Sequence, residues 1–392
     1  MSRSVDEHAA YVRDLLTFEI ETETLLLNDA LGRALANAVF SPRDLPLFRN
    51  SQMDGFAVRA ADVTTVPITL PIVGEVAARA AAPAALQPRT AVKVMTGAVV
   101  PDGADAVIPV EDTTLSDGQV TITRGRAQNE YVRDRGSDVA AGDELLPSGR
   151  LLAARHLAVL AAAGIPSVDV VRQVRIAVIT TGAELREPGE EVEPGQVYDA
   201  NSTALIAAVR SSGAVVTLAQ RVVDEPALLL SVLGEAVGKA DLILTSGGIS
   251  KGDYEVVREL LEPRGAKVEH LAMQPGGPQA TAVFDGTPVI CFPGNPVSTQ
   301  LSFEVFVAPI LREYAGYPAK RHFEARLSEK LSSIGGKRQF LRGQLQQDGT
   351  VQVSSGPGSH LVAGLAAADV LLVLPEAVTS LDQGEMVEVW EL

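Results

Sequence analysis

The sequence predicts a multidomain protein of α/β plus β class, with a central mixed-sheet α/β domain, an inserted β-domain and a small C-terminal β-barrel-like domain. Three observations predict this. Between Arg175 and Gly316, apolar strand-like runs alternate with helical patterns, as in an α/β domain. From Ile68 to about Arg126 the chain changes to short β-type runs separated by turn residues, and after Pro318 it does so again. At 392 residues the chain also exceeds what one hydrophobic core serves.

The α/β segment contains three stretches with one grammar. Leu242 to Leu244 is a short apolar strand, followed by Thr245-Ser246-Gly247-Gly248 and a helix through Val256, Val257, Leu260 and Leu261, which Asp253 can cap. Arg175 to Thr180 leads into Thr181-Gly182 and the acid Glu184. Pro288 to Phe292 leads into Pro293-Gly294-Asn295-Pro296 and a helix through Leu301, Phe303 and Val305. Ligands of open α/β sheets sit outside the carboxyl ends of the strands, so three such loops predict one composite site. Backbone N–H groups at these turns and helix starts suit a phosphate or oxyanion. Asp285-Gly286, set between A-T-A-V-F and P-V-I-C-F, predicts an antiparallel hairpin and hence a mixed sheet.

Elsewhere, Ser4 with Glu7 forms a capping box for an N-terminal helix. Leu25 to Leu27 reads as a strand, with Asn28 capping a helix that ends near Ala38. Pro42 and Pro46 then exclude regular helix before N-S-Q-M-D-G-F-A-V. In that stretch Asp54-Gly55 reads either as a turn pair or as a presented carboxylate. Asp117-Gly118 predicts a β-hairpin, and Ala153 to Ala163 a helix stopped by Gly164 and Pro166.

The net charge of -16 argues against a non-specific nucleic-acid binder. It also requires an anionic ligand to be held by local N–H groups and a few cations. No apolar run is long enough to span a bilayer, and the N-terminus lacks a signal-peptide core. Cys291 is the sole cysteine, which excludes an intrachain disulfide and a cysteine-cluster metal site and favours the cytoplasm. Cys291 itself reads as core filler.

Taken together, N-S-Q-M-D-G-F-A-V, K-V-M-T-G-A-V-V-P, T-T-G-A-E-L, Y-D-A-N-S, T-S-G-G-I-S-K-G and F-P-G-N-P-V-S resemble the molybdopterin molybdenumtransferases, the MoeA type shared with the E domain of gephyrin. The likeness runs from the first helix to G-S-H-L-V-A-G-L in the last domain. It implies that the central domain is a molybdopterin-binding domain and that the chain is a transferase of molybdenum cofactor biosynthesis. Such enzymes take adenylylated molybdopterin and molybdate, release AMP and use Mg²⁺. The resemblance implies a four-domain homodimer whose cleft lies between the α/β domain of one subunit and the inserted β-domain of the other. It divides this chain into 20–45 with 139–173, an inserted β-domain 46–138, an α/β domain 1–19 with 174–316, and a C-terminal domain 317–392. Molybdopterin adenylyltransferase and molybdoenzyme maturation proteins are the implied partners.

Motif by motif, the resemblance assigns catalytic roles to Asp54, Asp138, Glu184 and Asp224. Cofactor contacts fall on Thr96, Arg133, Thr181, Gly182, Asp199 and Asn201. They extend to Ser246, Gly247, Gly248 and Ser250, to Pro293, Gly294, Asn295, Pro296 and Ser298, and to Ser359. Metal contacts fall on Asp54, Glu184 and Glu255, with Asp253 as a shifted alternative to the last. Carboxylates suit this chemistry because they hold Mg²⁺ against a pyrophosphate and move protons. Asn201 and Asp224 also read as ordinary helix-capping residues.

Three departures stand out. The family's P-G-K-P preceded by Lys is M-Q-P-G-G-P here, with Gln274 and Gly277 at the cationic positions. Lys93, Lys251 or Arg133 are candidates to compensate, and restoring both lysines is expected to tighten anion binding. The acid of S-x-G-x-x-D-Y falls on Glu255, and the usual A-N of the last domain is Ala368-Asp369. Two other functions are compatible with parts of the pattern. A non-catalytic molybdopterin-binding scaffold would explain the lost lysines. A molybdopterin adenylyltransferase would need only the α/β domain.

Overall fold

The computed structural model describes residues 2–78, 82–249 and 256–392. The chain divides into two compact units, one of residues up to 23, 32–34 and 171–392, the other of residues 24–31 and 35–170.

In the first unit, helix α1 (Val5–Leu15) starts with the expected reciprocal capping box between Ser4 and Glu7. Along the chain follow β1 (Arg175–Thr181), α2 (Ala200–Ser211), β2 (Val215–Val222), α3 (Pro226–Ala236), β3 (Leu242–Ser246), α4 (Val256–Leu261), β4 (Lys267–His270), β5 (Pro278–Phe284), β6 (Thr287–Phe292) and α5 (Pro296–Phe306). The six strands form one sheet in the order β2-β1-β3-β6-β5-β4. The first four are mutually parallel, whereas β5 runs antiparallel to both β6 and β4. The mixed sheet is thus borne out, and its hairpin turns at Asp285 (φ 44°) and Gly286 (φ 83°).

The parallel strands are apolar on both faces because helices cover both. Val178, Leu244, Ile290 and Phe292 pack with α1, α2 and α5 on one side. Ile179, Ile243, Val289 and Cys291 pack with α3 and α4 on the other. Cys291 is fully buried, and burial pushes its thiol up to about 12, which fits the expected core role.

The C-terminal residues of this unit form a closed five-strand barrel. Its strands are His322–Leu327, Arg338–Leu345, Thr350–Val353, Val370–Leu374 and Met386–Glu391. Met273 and Gln274 pair in parallel with Arg338 and Gln339, which fastens the barrel to the segment between β4 and β5.

The second unit holds a six-stranded sheet, ordered Ala106–Pro109, Gly55–Val58, Ala91–Val94, Ile68–Val76, Gln119–Ile122 and Thr113–Ser116. The hairpin at Asp117 (φ 46°) and Gly118 (φ 75°) is present as expected. A second core of Ala30, Leu35, Leu146, Leu152, Leu160 and Val170 includes the helix Ala154–Ala162.

One expectation fails. No helix follows Asn28; a single 3₁₀ turn, Leu27–Asp29, stands there instead. The N–H groups of Leu35 and Ala36 donate to the carbonyls of Arg150 and Asp169 at 3.0 and 2.9 Å rather than to the preceding turn. Tertiary pairing captures backbone groups that a helix would have used.

Candidate active site

The three strand-end loops converge. A cavity of about 950 Å³ lies outside the carboxyl ends of the parallel strands. Its wall includes Thr181, Gly182 and Glu184 after β1, Asp224 after β2, and Ser246, Gly247 and Gly248 at the end of β3. Pro293, Gly294, Asn295, Pro296 and Ser298 come from the turn after β6, and Asp199 and Asn201 from the start of α2. Ser359 enters from the C-terminal barrel.

A hydrogen-bonded core holds these loops together. Asp199 caps α2 by accepting from the Ser202 N–H at 2.9 Å, and its second oxygen accepts from the Thr180 hydroxyl at 2.5 Å. Its carboxylate is therefore committed to the frame. Asn201 is not the cap. Its amide donates to Ser246 Oγ at 2.9 Å and to the Gly294 carbonyl at 2.7 Å, joining the loops after β3 and β6. The Thr299 hydroxyl donates to the Pro293 carbonyl at 2.6 Å and lies 3.1 Å from Ser246 Oγ. Gly247 is required by close approach as well as by its φ of 96°, since a Cβ there would lie 2.7 Å from the Thr181 carbonyl oxygen.

The backbone donors are less available than the sequence implied. The Gly182 N–H donates to the Val222 carbonyl, the Gly247 N–H to that of Phe292, and the Val297 N–H, in the first turn of α5, to that of Ser359, all at 3.1 Å. Asp224 Oδ2 accepts from the Ala183 N–H at 3.1 Å. Side-chain chemistry is open as well. Thr181 Oγ1 and Asn201 Oδ1 are buried without a hydrogen-bond partner, an arrangement that calls for a ligand or water to complete it. Ser250, Glu255 and its alternative Asp253 lie outside the described residues, as does Lys251.

Asp54, Thr96, Arg133 and Asp138 are carried by the second unit and are not among the lining residues of this cavity. Asp54 is exposed at the start of the strand Gly55–Val58. Its Oδ1 accepts from both the N–H and the hydroxyl of Thr96, at 2.7 and 2.8 Å. The backbone bond and then the hydroxyl bond hold its carboxyl below the usual aspartate value. Gly55 is not a turn glycine. A Cβ there would sit 2.0 Å from the Ile108 carbonyl oxygen of the neighbouring strand. Arg133 pairs with Asn50, its Nη1 donating to Asn50 Oδ1 at 3.4 Å, and Asp138 is exposed.

Sequence reasoning missed three basic lining residues: His270 at the end of β4, Lys337 beside the barrel strand, and His360 next to Ser359. Lys337 and His270 belong to no motif that points to a ligand. Only the pairing of Met273–Gln274 with Arg338–Gln339 places Lys337 on this wall. Gln274 and Gly277 line the cavity as well, so both substituted positions face it. Among the described residues, no three His, Cys, Asp or Glu side chains are grouped as a metal site.

The fold and cavity define a multidomain α/β protein with a polar cavity at the carboxyl edge of its parallel strands, to whose wall a C-terminal barrel contributes. Family models for the MoeA N-terminal region (domain I and II), a probable molybdopterin binding domain and the MoeA C-terminal region (domain IV) match residues 3–164, 177–313 and 324–392. The molybdopterin molybdenumtransferase 2 of Mycobacterium tuberculosis is 40% identical over the whole of both chains. That of Nostoc sp. is 35% identical, over 95% of this chain and 89% of its own. A molybdopterin biosynthesis MoeA protein of Pyrococcus horikoshii superposes with a TM-score of 0.81 at 32% identity, covering 100% of this chain and 99% of that one. The chain belongs to the molybdopterin molybdenumtransferase (MoeA) family.

Proposed function

We propose that this chain transfers molybdenum from molybdate to adenylylated molybdopterin with release of AMP. The observation that carries this reading is the convergence of the three strand-end loops, Asn201 and Ser359 on one polar cavity. Full-length likeness to relatives named molybdopterin molybdenumtransferase supports it over an adenylyltransferase that needs only the α/β domain.

Within the cavity, Thr181 and Asn201 offer unpaired polar atoms to orient a pterin or its phosphate, and Lys337 offers an amine to pair with an anion. Glu184 and Asp224 are the lining carboxylates not committed to a helix cap, so their chemistry fits Mg²⁺. When bound, Mg²⁺ would neutralise charge on the ligand's pyrophosphate. Release of oxo groups from molybdate and of the adenylyl group both require proton movement, a role open to these carboxylates. Asp54, fixed on one oxygen by Thr96, is proposed to act from the second copy of a homodimer. Leu31 and Phe40, 63% and 55% exposed, and the exposed Leu47 and Phe48 in the unit of 24–31 and 35–170 support self-association. Ser250, and Glu255 or its alternative Asp253, keep their proposed ligand roles. The single cysteine supports a cytoplasmic location. No helix of the described residues is long and apolar enough to cross a membrane.

Incubating the purified chain with adenylylated molybdopterin, molybdate and Mg²⁺ should yield AMP and active cofactor. Tight pterin binding with no AMP would favour the scaffold reading.

A further inference from the structure

We infer that His270 supplies a proton-dependent positive charge that holds a tetrahedral oxyanion in the cavity, using the space that Gly277 leaves open. The inference rests on the cavity being the ligand site. His270 ends β4, lines the cavity and is exposed there. Its ring lies over Gly277: a Cβ at that position would be 2.7 Å from Cε1, 3.1 Å from Nε2 and 3.3 Å from Nδ1. Gly277 has no left-handed φ, so its backbone does not call for glycine. The histidine ring is what excludes a side chain.

Charge supplies the second argument. The acidic and basic lining residues among those described are Glu184, Asp199, Asp224, Lys337, His270 and His360. A dianion entering beside three carboxylates and one lysine needs further positive charge. Gln274 cannot provide it, and its Oε1 already accepts from Gln339 Nε2. His270 and Lys337 flank one wall. The Leu271 N–H donates to the Gly277 carbonyl at 2.7 Å, and Met273 pairs with Arg338, the residue after Lys337. Glu269 on the strand of His270 is engaged by Arg3 at 2.7 Å and approached by His8 at 3.5 Å, and residues 278 and 279 opposite on β5 are uncharged Pro and Gln. Histidine is the side chain whose charge changes near neutral pH. Oxyanion binding should therefore take up a proton and weaken as pH rises.

The test is equilibrium dialysis of the full chain against molybdate alone, and separately against sulfate alone as a stand-in for the pterin phosphate. Both probes keep their charge over the range used. The Kd of the unaltered chain for molybdate should weaken about five- to tenfold between about pH 6 and about pH 8. His270→Gln should bind weakly with no pH slope, and His270→Lys tightly with none. Gly277→Ala, which displaces the ring while leaving His270 in place, should flatten the slope too. A matching slope with sulfate supports a general tetrahedral-anion site, and a slope with molybdate alone supports the metal oxyanion as the ligand. Retention of the full slope in His270→Gln, or its absence from the unaltered chain, overturns the inference. AMP release intact without the slope removes only this inference, whereas the slope without AMP release removes only the proposed catalysis.

Discussion

His8 provides a stability switch whose size follows from its surroundings. The ring is 1% exposed, meets Phe306 edge-on at 4.8 Å, and neither of its nitrogens has a hydrogen-bond partner. Burial lowers its pKa from 6.5 to about 4, against the Glu269 carboxylate, which acts to raise it. Desolvation wins because Glu269 stands 3.5 Å away and is already paired with Arg3 at 2.7 Å. A histidine kept neutral in the fold contributes its full stability above the unfolded-chain value near 6.5. That contribution is lost as pH falls from there toward about 4, since the unfolded chain gains a proton that the folded one refuses. The loss amounts to about 2 kcal/mol by about pH 5 and about 3 kcal/mol by about pH 4. His8→Leu keeps an apolar contact with Phe306 and removes the proton site. Urea unfolding followed by far-UV circular dichroism should show that the variant loses correspondingly less stability on acidification. Fluorescence is a poorer reporter, because the sole tryptophan, Trp390, stacks on His322 at 4.3 Å and senses that ring as well. Equal pH slopes for His8→Leu and the unaltered chain would refute the reasoning.

Three further outcomes are expected. Asp54→Asn retains the Oδ1 acceptor that Thr96 holds, so folding, dimerisation and pterin binding should persist while AMP release falls at least about tenfold; full turnover would return Asp54 to a structural role. Mixing inactive Asp54→Ala and Glu184→Ala chains should restore part of the activity in heterodimers if the second copy supplies Asp54, and confirmed heterodimers without recovery would reject a shared site. Asn201→Ala removes two hydrogen bonds, a buried one to Ser246 and a part-buried one to Gly294, and should lower stability by about 2 kcal/mol and weaken pterin binding; unchanged unfolding would show that other bonds, such as that from Thr299 to Pro293, carry the junction.

Much of the fold was legible because local signals agreed with tertiary demands. The alternation of apolar strands with helices, the Asp-Gly hairpins and the Ser4–Glu7 capping box each act within a few residues. The missing helix after Asn28 shows the limit, since Leu35 and Ala36 give their N–H groups to residues more than a hundred positions away. The site divides in the same way. Strand-end position was enough to bring Thr181, Ser246 and Gly294 to one cavity. His270 and Lys337 were invisible because each sits in a stretch with no ligand motif; His270 reaches the wall from the end of an edge strand and Lys337 through barrel-to-sheet pairing. The expected gain from lysine at 274 and 277 also changes in meaning. Both residues face the cavity, but a side chain at 277 must displace His270, and Lys at 274 forfeits the bond from Gln339.

The distribution of hydrogen bonds decides how the cavity can respond to change. Gly182 and Gly247 spend their N–H groups on neighbouring carbonyls, and the carboxylate of Asp199 is engaged by Thr180 and the start of α2. The frame is thereby tied together by its own hydrogen bonds, and side chains such as Lys337 and His270 add to whatever anion affinity the loop backbone supplies. Alterations to Asp199, Asn201 or Gly247 should therefore appear first as lost stability. Alterations to Lys337, His270 or Glu184 should leave unfolding nearly unchanged and appear as altered salt and pH dependence of binding, whereas Asp224, which also accepts from the Ala183 N–H, should show both effects. A Lys337→Gln chain that unfolds like the original but binds molybdate no more weakly at low ionic strength would contradict this division between frame and ligand-holding side chains.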